Sequence, residues 1–146
     1  MRIAVVSIAG WLLLATVPAF ATPFQLGKAP LSGADCTDPQ DNLTMLMCAN
    51  GDAAAADKEL ADVFAKAIAS IEATDTTIMP ADKVKDWEAA MRDAEAAWEK
   101  FRDADCDGAV GYEWWGGSGA QLAVVACRRD LTRARVADLK ARYIDR

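Results

Sequence analysis

Cys36, Cys48, Cys106 and Cys127 are the most reactive side chains of this chain, and no histidine accompanies them. Without an imidazole there is no Ser-His or Cys-His pair to activate a nucleophile and no imidazole ligand for a metal. Asp103, Asp105 and Asp107, followed by Gly108, resemble the opening of a calcium loop, which needs carboxylates at alternate positions and then a glycine. The pattern fails further on: the bidentate glutamate belongs where Trp114 stands, and Cys106 interrupts the acidic run. Carboxylates are plentiful, but no spacing marks out a hydrolytic pair. The expectation is a protein that is not an enzyme and uses no metal or cofactor.

The remaining chemistry is recognition. Tyr112, Trp114 and Trp115 lie among Gly111, Gly116, Gly117, Ser118 and Gly119, a setting that predicts a surface turn. Clustered Tyr and Trp there either anchor a partner, stack on sugar rings or seal the end of a core. Trp98 and Arg102 are four residues apart, so on a helix the guanidinium can cover the indole. Arg102 and Arg135 are expected to pair with Asp57 and Asp103 between helices, and an exposed Arg102 would also suit a partner's carboxylates.

The disposition of these groups depends on where the chain resides. Arg2, the apolar run Ile3 to Val17 and Ala19-Phe20-Ala21 read as an export signal over residues 1–21, cut before Thr22. The product is expected to be periplasmic or secreted and not membrane-embedded. There, an even cysteine count means two disulfides. The full chain carries 16 basic and 22 acidic residues; loss of Arg2 leaves −7, which argues against nucleic acid. The charge is uneven, with residues 128–146 at +4 and residues 22–127 at −11. A basic last helix folding onto acidic ones explains this, and an acidic face that steers a basic partner is the alternative.

The elements that must hold these groups are helical. Residues 22–39, with Pro23, Gly27, Pro30, Gly33 and Pro39, form an extended leader, and residues 40–146 form one helical domain. Helix one is predicted from Gln40 to about Ala73, with a stripe of Leu60, Val63, Phe64, Ala67, Ile68 and Ile71 and a bend at Asn50-Gly51-Asp52. Helix two runs from Pro80 to about Asp105, with a seam of Val84, Trp87, Met91, Ala94, Trp98 and Phe101. Helix three runs from about Ser118 to Tyr143, burying Val124, Val125, Leu131, Thr132, Val136, Leu139 and Tyr143. The predicted fold is all-α: a disulfide-stapled antiparallel three-helix bundle.

In an up-down-up bundle, Cys48 and Cys127 lie at similar depths in parallel helices, while Cys36 and Cys106 share the level above. This predicts Cys36–Cys106 and Cys48–Cys127. The competing pairing, Cys36–Cys48 with Cys106–Cys127, staples each pair locally.

Trp98-Glu99-Lys100-Phe101-Arg102-Asp103-Ala104-Asp105-Cys106 resembles the W-x-x-[FY]-R-D-x-x-C signature of the LprI-like lysozyme-inhibitor N-terminal domain. Ala56-Asp57-Lys58-Glu59-Leu60, Gly116-Gly117-Ser118 and Cys127 with Leu131-Thr132 and Arg135 are similar to three further segments of that family, in order. The resemblance implies an exported helical protein that inhibits a lysozyme-type muramidase by occluding its glycan cleft. A muramidase, or another basic envelope protein, would be the partner. Tyr112, Trp114, Trp115, Gly116, Gly117, Ser118 and Arg102 are then the candidate contacts. The rival expectation is a cell-envelope module that binds peptidoglycan or acts structurally, without a protein target.

Overall fold

The computed structural model describes residues 35–115 and 117–145. The expected signal segment (residues 1–21), residues 22–34 of the expected leader, Gly116 and Arg146 lie outside the described residues. The described chain is helical, in the order α1 (Asn42–Glu72), α2 (Ala81–Asp103), a π-helical segment (Ala104–Val110), the single turn α3 (Gly111–Glu113) and α4 (Ala120–Tyr143). Among the described residues there is no strand, and no helix is long and apolar enough to cross a membrane.

Asp41 starts α1: its carboxylate accepts from the Thr44 backbone N–H at 2.9 Å and from the Thr44 hydroxyl at 2.7 Å. The backbone bond and then the hydroxyl hold the Asp41 carboxyl below its ordinary pKa. α1 runs without interruption through Gly51. A Cβ built there meets nothing within 4 Å, so the helix carries glycine's entropy cost with no steric reason for it. Gly51→Ala is therefore expected to raise the unfolding free energy by about 0.5–1 kcal/mol, measured by denaturant titration.

The core joins Leu60, Val63, Ala67, Ile68 and Ile71 of α1 to Val84 and Met91 of α2 and Val136, Leu139 and Tyr143 of α4. Phe64, Trp87 and Trp98 pack at its edge, with Trp87 and Tyr143 in tilted ring contact at 6.2 Å. The α1 and α4 stripes coincide with the buried faces expected from periodicity. α2 differs. Ala94 and Phe101 of the expected seam are exposed, whereas Glu95 is buried and Arg102 largely so. A straight helix drifts about 20° per heptad against a strict 3.5-residue repeat. The inward face consequently passes from Met91 to Glu95, Trp98, Arg102 and Cys106.

The disulfides correct the expected Cys36–Cys106 and Cys48–Cys127 pairing: Cys36 joins Cys48, and Cys106 joins Cys127, with Cα separations of 5.7 and 5.6 Å. Two local features decide this. The strap before α1 doubles back onto the second turn of its own helix. Beyond α2, the glycines do not open a loop at Cys106; the chain stays helical to Glu113 and reverses within residues 114–119. Cys106 and Cys127 are equidistant in sequence from that reversal, so they face one another across it.

Candidate functional site

The first cluster of chemistry-bearing residues surrounds Trp98. The Arg102 guanidinium lies 5.3 Å from the Trp98 ring centre, with its side chain only 14% exposed. It donates to Asp57 and to the Thr132 hydroxyl, each at 3.0 Å, and to Asp103 at 3.1 Å. Arg135 lies 5.8 Å from the same ring centre and donates to Glu95 Oε2 at 2.9 Å and to Asp138 at 3.0 Å. Asp57, Trp98, Arg102, Asp103 and Arg135 thus meet between α1, α2 and α4. Arg102 is directed inward, its donors occupied by three side chains of the fold, which leaves it poorly placed to bind a partner's carboxylate.

Periodicity placed Thr132 on the buried face of the last helix but missed Glu95, whose burial between α2 and α4 was not expected. Glu95 is 6% exposed and Thr132 is fully buried. Continuing the Val84–Trp87–Met91 stripe at a 3.6-residue period would have reached Glu95; nothing local marks Thr132 as a hydrogen-bonding bridge.

The basic last helix is neutralised largely within the fold. Lys140 pairs with Glu59 of α1 at 2.6 Å, Arg135 with Glu95 of α2, and Arg128 with Asp107 of the π segment. Arg128 also approaches Asp103 at 3.9 Å. A guanidinium therefore lies near two of the three carboxylates of the calcium-like motif, on backbone that coils helically instead of forming an open loop. Asp105 lies close to Cys106 and Cys127, whose sulfurs are joined as a disulfide.

The second cluster is the aromatic reversal. Tyr112 lies in α3; Trp114 and Trp115 follow it, and Gly117, Ser118 and Gly119 lead into α4. The reversal is built from successive turns, with Trp115 N–H donating to Tyr112 O at 3.0 Å and Gly117 N–H to Trp114 O at 2.9 Å. Trp114 rests against Gly119, where an added Cβ would stand 2.6 Å from the indole. Gly119 thus seats Trp114 by lacking a side chain. Trp115 has φ +43° and is 90% exposed, and Tyr112 is 78% exposed. The left-handed backbone is costly for a bulky residue, and here it turns an indole outward. Tyr112 and Trp115, with Asp107, Gly108 and Gly111, line an open groove of about 490 Å³.

The family profile described as "Lysozyme inhibitor LprI" matches residues 34–139. An uncharacterized protein of Rhizobium meliloti (strain 1021) is 34% identical over 107 residues, covering 73% of this chain and 76% of that protein. No solved structure matches.

Proposed function

Since the chain belongs to the LprI lysozyme-inhibitor family, we propose that it is an exported, non-enzymatic protein that binds a lysozyme-type muramidase and occludes its glycan cleft. In this reading residues 1–21 are removed on export to the periplasm or beyond, and the helices act as a disulfide-stapled antiparallel bundle that holds the contact surface rigid. The observation that carries the reading is Trp115: an indole pushed into solvent by left-handed backbone, beside exposed Tyr112. Large aromatics that the core does not use are the usual anchors of a protein interface. The acidic excess before residue 128 would steer a basic enzyme toward it.

The experiment is a muramidase assay with purified mature protein and its Trp115 variants. Trp115→Ala should weaken inhibition by about 2 kcal/mol, roughly 30-fold in affinity, with stability changed by less than about 0.5 kcal/mol. Trp115→Gly should lose affinity similarly yet stabilise the fold by about 0.5–1 kcal/mol, because glycine adopts the left-handed backbone without strain. A large fall in melting temperature with inhibition retained would instead assign Trp115 a structural role. Steering makes a separate expectation: the association rate should fall as salt shortens the Debye length from about 10 Å at 0.1 M to about 3 Å at 1 M. A salt-independent rate would remove steering.

The groove beside Trp115 supports a second reading, a peptidoglycan-binding module without a protein target, since Tyr112 and Trp115 can stack on a sugar while Asp107 accepts from its hydroxyls. Saturable binding to isolated peptidoglycan that Trp115→Ala abolishes, with no inhibition at micromolar protein, would select it.

A further inference from the structure

Between α1 and α2, away from the aromatic turn, lies an open groove of about 720 Å³. Leu60, Phe64 and Ile68, one helical turn apart on α1, give it an apolar strip on the order of 12 Å long, enough for a chain of about eight carbons. Its volume is in the range of small-molecule sites.

The polar wall belongs to α2, and its charges are unequally satisfied. Arg102 is engaged as described above, and Arg92 donates to Glu88 Oε1 through Nε and Nη2. Glu95 gives Oε2 to Arg135, but its other carboxylate oxygen, Oε1, is buried with no donor. Glu99, one turn further along the same face, forms no ion pair among the described residues. Two carboxylates above the hydrocarbon strip are therefore short of donors: Glu99, and Glu95 at its Oε1. A buried acceptor left without a donor costs about 1–3 kcal/mol, which a ligand that supplies an N–H recovers.

We infer that this groove binds a small aliphatic cation, with its hydrocarbon chain on Leu60, Phe64 and Ile68 and its terminal ammonium donating to Glu95 and paired with Glu99. A carboxylate-ended chain of the same length has no donor for Glu95 Oε1 and would meet Glu99 as a like charge. The site is independent of the muramidase reading and of Trp115.

The test is an NMR titration of the mature protein at pH 7 with octylammonium below its micellar concentration, and with octanoate as the charge-reversed control. Octylammonium should give saturable shifts centred on residues 57–68 and 92–102, and octanoate should give none there. Glu99→Gln, at an exposed site without an ion pair, should weaken binding by up to about fivefold without affecting the fold. Ala61→Trp, which places an indole in the groove from an exposed position of α1, should abolish it. Glu95→Gln should also weaken binding, but it disturbs Arg135, so Glu99→Gln keeps the proposal falsifiable. Equal binding of octanoate, affinity unchanged in Glu99→Gln, shifts confined to the aromatic turn, or saturation by a lysine-bearing peptide but not by octylammonium would each overturn it.

Discussion

Arg135→Ala is expected to lower the unfolding free energy by about 3–5 kcal/mol and the melting temperature by on the order of 10 °C or more. Arg135 is the sole ion-pair partner of Glu95 among the described residues, and both side chains are nearly enclosed. Glu95 already has one oxygen without a donor, so removing the guanidinium leaves a carboxylate inside the fold with no hydrogen-bond donor on either oxygen. Arg135 also covers Trp98, and its loss uncovers part of that ring. The double variant Glu95→Leu/Arg135→Leu separates the contributions. Removing both charges together abolishes the desolvation penalty, so the double variant should be more stable than Arg135→Ala and close to the natural chain. Thermal and urea unfolding of the three proteins checks this. A double variant as unstable as Arg135→Ala would show that the pair contributes by specific geometry and not merely by mutual neutralisation.

Replacing both Cys106 and Cys127 with alanine should cost about 3 kcal/mol on the chain-entropy account for a separation of 21 residues. Cys106 is fully buried where the π segment meets α4, so the bridge constrains a part of the chain that folds cooperatively with the core. Replacing Cys36 and Cys48 should cost clearly less, because residues 35–41 are exposed apart from Pro39 and the strap they form covers none of the core. Denaturant unfolding of the two double variants tests the ranking. Connectivity has its own direct assay. Cys36 and Cys48 share the tryptic peptide 29–58, and Cys106 and Cys127 share 103–128. A non-reducing digest should release the two peptides separately, each lighter by two hydrogens than its reduced form. A species joining 29–58 to 103–128 would restore one of the other pairings.

The helices were legible because helix formation and burial leave a local periodic record. Leu60 to Ile71 and Val125 to Tyr143 repeat at intervals that only a helix brings to one face, and both faces are buried. The bounds of α1 and α4 lie within about two residues of those read from composition, the ordinary uncertainty of helix ends. The aromatic turn was also legible as a turn, since Gly116 to Gly119 cannot sustain a helix cheaply. Ending the second helix at about Asp105 because of the glycines beyond it was misleading. Gly108 and Gly111 lie within helical backbone, where the cost of about 1 kcal/mol per glycine is smaller than the gain from the Cys106 and α4 contacts around them.

What the sequence determined by itself is therefore the class of the molecule. It specifies a cysteine-bearing helical chain without histidine, acidic before residue 128 and basic after it, with two long apolar stripes and an aromatic cluster at a glycine-rich turn. Tertiary structure alone decided which cysteines meet, that Glu95 lies inside while Phe101 lies outside, and that Trp114 rests on Gly119 while Trp115 faces solvent. The physical reason is the range of the interactions. A stripe is a property of residues three and four apart, whereas a disulfide, a buried ion pair or an indole seated on a glycine depends on where a second helix passes, and a drift of about 20° per heptad, accumulated along α2, exchanges an expected phenylalanine for an arginine on its inner face.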